Sequence, residues 1–347
     1  MPPPARPALG ASLAIAAVSG DPDGGQGLSL RGQQTLPQAA RVAAMNTPTA
    51  YTERRGFRSD MLLLRGLHHH VMHWGDASME TPERPLLVML HGRMDVGASF
   101  QFVVDALPSD RHVVAMDWRG FGLSDWTASD AYWFPDYLGD LDALLDAISP
   151  DRPVDLLGHS MGGNVVMSYA GVRPERIRRL VNLEGFGLPD TQPEEAPKRL
   201  RQWLDELKQP QQLKPYASLD EVAQRLMKTN PRLSPAKAAW LAPHWSEQRD
   251  GAFHILGDPA HKRTNPVLYR KAEALACWQS IQAPTLWVEG AHTELSQWWG
   301  KRYPREDFEA RLALVPQLTR ARLEDAAHML HHDQPEALAA VLEDFLR

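Results

Sequence analysis

Two hydropathy patterns take turns along most of the chain. Residues 85–92 (PLLVMLHG), 113–116 (VVAM) and 154–157 (VDLL) are short, nearly unbroken apolar runs ending at glycine or a polar turn, the pattern of a strand covered on both faces. Runs over 179–185, 284–290 and 321–328 predict further strands. Between them, Leu138, Leu141, Leu144, Leu145 and Ile148 fall on one face of a helix. Residues 161–170 predict a second helix and Leu338, Val341, Leu342 and Phe345 a last one. Strands alternating with helices predict an α/β fold with a mostly parallel sheet covered on both faces. Such sheets place ligands at the carboxyl ends of their strands.

Two intervals break the alternation. Residues 188–277 are rich in Gln, Lys, Pro and Trp, with helical periods and no convincing strand; they predict an inserted helical cap between core segments 51–187 and 278–347. Residues 1–50 are rich in Ala, Pro, Gly and Gln without a sustained period. They read as a disordered extension or as sequence upstream of a true start at Met45. The run ALGASLAIAAVSG behind Arg6 is a poor secretory signal, with one charge and an interrupted apolar stretch. A cytoplasmic location is therefore expected, with export through that segment as the alternative.

Composition narrows the class. With 43% apolar and 23% charged residues among 347, a sizeable core is available. A formal charge of -6 with mixed signs offers no stripe for phosphate backbones, so nucleic acid is not an expected partner. The basic run 173–179 reads as a solvated helix end. The single cysteine, Cys277, rules out an intrachain disulfide and reads as a buried apolar filler. No apolar stretch is long enough to cross a bilayer. His68, His70 and His73 lie near an early strand expected to form an edge hairpin. Residues on a strand alternate faces, and no carboxylate or cysteine stands at ligand spacing, so no metal is expected there.

The chemistry concentrates at VDLLGHSMGG. An apolar run stops at Gly158, presents Ser160, and continues through Gly162 into a helix. A serine hydroxyl becomes nucleophilic only beside a base, and it must stand free of its neighbours. A sharp strand-to-helix turn with glycine two positions to either side meets the second need. The helix start behind it supplies N–H groups for developing negative charge.

The ordered set of strand, elbow, helix and upstream His-Gly strand end resembles the α/β-hydrolase superfamily over residues 51–347. The resemblance implies an oxyanion hole from the backbone N–H groups of Arg93, in LHGRMD, and of Met161. It implies a base in the loop after the last strand, where His328 fits and His331 and His332 read as solvent or packing residues. It implies an acid three residues beyond Gly290, but that position is Thr293. Glu184 in VNLEGFG and Glu294 are the replacements, with Glu289 a remote third. Certain haloalkane dehalogenases carry their acid on the earlier strand in a similar glutamate-then-aromatic context, which favours Glu184. Asp117, Trp118 and Arg119 match a turn of the family, and Asp95 reads as a loop support. Phe186, Trp240, Trp245, Trp298 and Trp299 are candidates for an apolar acyl pocket.

The resemblance thus implies a serine hydrolase acting on a small-molecule ester of small or moderate size, with no metal or organic cofactor. Serine at the elbow argues against dehalogenase or epoxide hydrolase chemistry. Carbon–carbon bond hydrolysis by the same residues and a non-catalytic ligand sensor on the same fold are the alternatives. Substrate identity and oligomeric state are not encoded legibly.

Overall fold

The structure, a computed structural model, describes residues 50–108 and 110–347. The readings of the N-terminal extension, its apolar run and a start at Met45 fall, but for residue 50, outside the described residues. Among the described residues, eight strands form one sheet in the order β1-β2-β4-β3-β5-β6-β9-β10. The strands β1 (Arg58–Leu64) and β2 (Leu67–Trp74) make an antiparallel hairpin at one edge. The strand β4 (Val113–Met116) runs antiparallel to β2. Parallel pairing then links β4, β3 (Leu87–Leu90), β5 (Val154–His159), β6 (Ile177–Leu183), β9 (Thr285–Gly290) and β10 (Leu318–Leu323).

The helices, in chain order, are α1 (Gln101–Ala106), α2 (Phe134–Ile148), α3 (Met161–Val172), α4 (Ala196–Leu207), α5 (Leu219–Thr229) and α6 (Pro235–Trp245). They continue as α7 (Lys271–Gln279), α8 (Ser296–Trp299), α9 (Arg305–Leu312), α10 (Leu330–Asp333) and α11 (Pro335–Phe345).

Strand alternation divides the core in two. Leu87 and Met89 of β3 join Val113, Ala115, Leu157, Val181 and Leu286 on one face, with α1 and α11. Val88 and Leu90 join Val114, Met116, Leu156, Leu180 and Trp287 on the other, with α2 and α3. Each Val, Leu or Met side chain among these, fully withdrawn from water, contributes about 1.5–3 kcal/mol before entropy is counted.

The strand read over 179–185 begins two residues earlier, and the one read over 321–328 spans Leu318–Leu323 instead. The strand β10 is a sheet edge whose Thr319, Arg320 and Arg322 face solvent. Charged side chains guard such an edge and hide it from a search for apolar runs.

The interval 188–277 is not wholly helical. It holds a two-stranded hairpin, β7 (Ser246–Arg249) and β8 (Ala252–Ile255). Asp250 and Gly251 turn it with φ of 50° and 79°; Asp-Gly favours this primed turn because both residues tolerate positive φ. The helix α7, at the end of the interval, packs against α3 beneath the sheet. The close approach is at Gly171, where a Cβ would lie 1.9 Å from the Cys277 carbonyl oxygen. Cys277 itself is partly exposed and fills no core space, because it sits on a helix whose buried anchor is Trp278. Among the described residues, no helix is long and apolar enough to cross a membrane.

Candidate active site

Ser160 follows β5 with φ 51° and ψ -113°, outside the regions open to ordinary L residues. The strain is sustained by close backbone contact. A Cβ at Gly158 would lie 2.3 Å from the Gly162 carbonyl oxygen, and one at Gly162 would lie 2.3 Å from that of Leu90. Only glycine permits both approaches. The Ser160 N–H donates to the Leu183 carbonyl at 2.8 Å, and the Ser160 carbonyl accepts the Asn164 N–H at 3.0 Å as α3 begins.

The adjacent strand repeats the device. Glu184 follows β6 with φ 53°. Asn182 holds the turn by accepting the Gly185 N–H at 2.8 Å, and Asn164 accepts the Gly187 N–H at 2.8 Å. The two turns meet glycine to glycine: a Cβ on Gly163 would lie 2.9 Å from Gly185 Cα.

The structure brings Ser160, His328 and Glu184 together. His328 Nε2 lies 3.0 Å from Ser160 Oγ and Nδ1 2.8 Å from Glu184 Oε2. Glu184 is 1% exposed, and two further donors reach its carboxylate: Oε1 accepts the Gly290 N–H at 2.7 Å and Oε2 the Thr293 hydroxyl at 3.0 Å. A buried carboxylate with that many donors is held in one orientation. Thr293, at the position where the resemblance expects the acid, thus donates to the Glu184 carboxylate at the end of the neighbouring strand. Glu294 is exposed, and Glu289 is engaged by Arg305 at 2.7 Å.

Ser160, Met161, Arg93, His328 and Glu184 border one cavity of about 470 Å³. Phe186, Trp298 and Trp299 line it; Trp240 and Trp245 do not. Trp240 packs edge-on against Tyr51 and Phe102 and at a tilt against His244, and Trp245 is buried in the core beside Ser99. Both lie on α6, which packs against the sheet's α1 side and so points its rings inward. The wall that sequence reasoning missed is made by Tyr132, Phe134, Tyr137 and His261. His261 stacks between Phe121 and Tyr132 at centroid distances of 3.9 and 3.8 Å. Burial, with the Arg93 charge adding, lowers its pKa to about 3, so the ring is neutral. The Arg93 guanidinium donates to the His261 carbonyl.

Other candidates have structural posts. His68, His70 and His73 each face a different carboxylate, Asp125 at 3.1 Å, Asp117 at 2.8 Å and Asp60 at 3.5 Å. Asp117 also accepts the Gly97 and Leu123 N–H groups, and Arg119 is paired with Asp140. Asp95 Oδ1 accepts from the Val96 N–H and the Ser99 hydroxyl. His331 and His332 are both buried, 0% and 3% exposed. Asn182 and Asn164 went unnoticed in the sequence, where only the glycine-flanked VNLEGFG hinted at a second built turn; Thr293 was noted there only as the missing acid, not as a donor to Glu184.

A parallel sheet with a serine, a histidine and a carboxylate converging at its strand ends defines a hydrolase of the α/β type. The chain belongs to the α/β-hydrolase fold family, whose family model matches residues 85–335. It is 25% identical over 276 residues to a serine hydrolase-like protein of Danio rerio, covering 76% of this chain and 82% of that one. It is 31% identical over 245 residues to a 3-hydroxybutyrate-oligomer hydrolase of Cupriavidus necator, covering 66% and 79%. Among solved structures, the thioesterase domain from the curacin biosynthetic pathway superposes with a TM-score of 0.72 at 26% identity, covering 83% of this chain and 99% of that one.

Proposed function

We propose that the protein is a serine hydrolase that cleaves carboxylic esters of small or moderate size through an acyl-enzyme. The observation that carries this reading is the unbroken series from Glu184 through His328 to Ser160, with contacts of 2.8 and 3.0 Å. Glu184 accepts the Nδ1–H of His328, which fixes the tautomer and leaves the Nε2 lone pair facing the Ser160 hydroxyl. Ser160 Oγ attacks the ester carbonyl carbon while its proton passes to Nε2. The Arg93 and Met161 main-chain N–H groups receive the oxyanion, and Glu184 stabilises the imidazolium. Collapse of the tetrahedral intermediate expels the alcohol, which takes the proton from Nε2. Water, deprotonated by the same nitrogen, then releases the acid and restores the serine.

A cavity of about 470 Å³ lies in the range of small-molecule sites, and its aromatic rim favours a short apolar acyl group. Relatives named for hydrolysis of 3-hydroxybutyrate oligomers and for thioesterase action are in keeping with acyl transfer. The test is labelling by a fluorophosphonate, read by intact mass, alongside rates on p-nitrophenyl esters of increasing acyl length. One label per wild-type chain is expected, absent from Ser160→Ala and His328→Ala, with rates falling once the acyl chain outgrows the cavity. An unreactive Ser160 that binds small molecules tightly without turnover would overturn the reading in favour of a sensor.

A further inference from the structure

Beside the triad, and outside the cavity lining, lies a second cluster that the proposed reaction does not use. Asp95, His159 and His331 are 3%, 1% and 0% exposed. One ligand atom from each lies within 4.8 Å of the other two. Each residue keeps a buried polar atom without a hydrogen-bond partner among the described residues: Asp95 Oδ2, His159 Nδ1, and both ring nitrogens of His331. Unmatched atoms of this kind are costly, so three residues that bring them this close together call for a common partner.

The surroundings fit a metal ion better than another hydrogen bond. His159 Nε2 donates to the His328 carbonyl at 2.8 Å. That bond fixes the proton on Nε2 and leaves Nδ1 as a lone pair, the arrangement by which ligating histidines are held. Asp95 Oδ1 is taken by the Val96 N–H and the Ser99 hydroxyl, leaving Oδ2 free. His331 lies against the Phe100 ring at a tilt, centroids 5.3 Å apart, with its Nε2 3.7 Å from Asp95 Oδ2. That is long for a hydrogen bond but near the ~3.4 Å that separates two ligands bound tetrahedrally at about 2.0–2.1 Å. Gly92 keeps space open beside the third ligand, since a Cβ there would stand 3.0 Å from His159 Nδ1.

From this geometry we infer that Asp95, His159 and His331 form a binding site for one divalent transition-metal ion of the Zn²⁺ type. Two imidazoles and one carboxylate select this class over Mg²⁺ or Ca²⁺, which prefer oxygen donors. The three ligands stand two residues after Arg93, one before Ser160 and three after His328. An ion here clamps together the three segments that carry the oxyanion donor, the nucleophile and the base.

The full chain, produced in medium supplemented with Co²⁺ and freed of loosely held metal, tests the inference without reference to activity. Expected are one Co²⁺ per chain by elemental analysis, a visible absorption band of tetrahedral Co²⁺, and a thermal midpoint above that of the metal-free chain. Asp95→Asn and His331→Gln lose ion and band, whereas His328→Ala, which removes the imidazole facing the cavity, keeps both. Wild-type chain without bound Co²⁺ overturns the inference and leaves Asp95 and His331 as a buried ion pair. Binding retained by His331→Gln, or lost in His328→Ala, also overturns it, the latter by moving the ion to the triad. Should one ligand variant fail to fold, the wild-type stoichiometry and band still decide.

Discussion

Ser160 and Glu184 occupy matching places on neighbouring strands. Each follows the last residue of a parallel strand, each has φ just above 50°, and each turn ends in glycines. The difference lies in what fixes them. The serine turn is held by backbone against backbone, Gly158 on Gly162 and Gly162 on Leu90, and it leaves the side chain clear. The glutamate turn is held by side chains, Asn182 within it and Asn164 from α3, and the Glu184 carboxylate is itself tied to Gly290 and Thr293. One turn frees its side chain and the other immobilises it, a contrast that suits the nucleophile and the orienting acid proposed for Ser160 and Glu184.

The largest effect should come from deleting the groups the turns present. Ser160→Ala is expected to lower turnover of p-nitrophenyl acetate about 10⁶-fold and Glu184→Gln about 10⁴-fold, following serine hydrolases in general. Glu294→Gln should stay within a factor of about three, as expected of an exposed side chain outside the triad. Near-normal turnover in Glu184→Gln beside a loss in Glu294→Gln would break the comparison and make the second turn merely structural.

Next comes the contact between the turns. Gly162→Ala forces a Cβ onto the Leu90 carbonyl, and Gly185→Ala forces one to within 2.6 Å of Gly163 C and 2.7 Å of Asn164 N. Both neighbours are backbone and cannot swing aside, so each substitution should destabilise the fold by about 3 kcal/mol. Urea denaturation measures this directly. A cost at Gly162 but none at Gly185 would mean that the glutamate turn is not braced by the elbow.

The two turns also differ in legibility. The elbow was readable because glycines at fixed offsets around a serine report a backbone requirement, and backbone requirements leave strong local marks. Arg93, pointed to by the resemblance through its His-Gly strand end, borders the same cavity as the elbow. Glu184 could only be weighed against Glu294, since whether a carboxylate reaches an imidazole 144 residues away depends on strand order. The core strands were legible through their double burial; β10, half exposed and polar, was read with its bounds displaced, and the β7–β8 hairpin was not read at all. The pocket wall failed for a related reason: an aromatic ring looks the same in sequence whether it faces core or cavity, so Trp240 and Trp245 were indistinguishable from Trp298 and Trp299.

A smaller effect sharpens the comparison by moving the acid between turns. Thr293 Oγ1 lies 3.0 Å from Glu184 Oε2, so a carboxylate grown from residue 293 reaches the same side of His328. Thr293→Asp added to Glu184→Gln should recover about tenfold of the lost turnover, since a charged acceptor again faces Nδ1 but without the bonds that immobilise it. In the wild-type background the same substitution should reduce activity, because two carboxylates would crowd one site and neither would be held well. Recovery to within a factor of two of wild type would show that immobilisation, the feature separating the glutamate turn from the elbow, contributes little.

The smallest effect concerns the wall that both turns face. The grip of the turns rests on close fit, whereas the opposite wall closes on His261, a ring whose pKa burial lowers from 6.5 to about 3. Below pH 6.5 the unfolded chain binds a proton there that the folded chain refuses. This contribution to stability is therefore whole above pH 6.5 and declines as pH falls toward 3. His261→Phe keeps a ring between Phe121 and Tyr132 and removes the titration. Between pH 7 and pH 5 the wild type should lose about 1–2 kcal/mol more than His261→Phe in urea denaturation. Gly162→Ala, tested in parallel, should weaken the protein equally at both pH values, because a steric cost carries no proton. Equal pH slopes in wild type and His261→Phe would place the proton uptake elsewhere and leave the wall as insensitive to acid as the turns it faces.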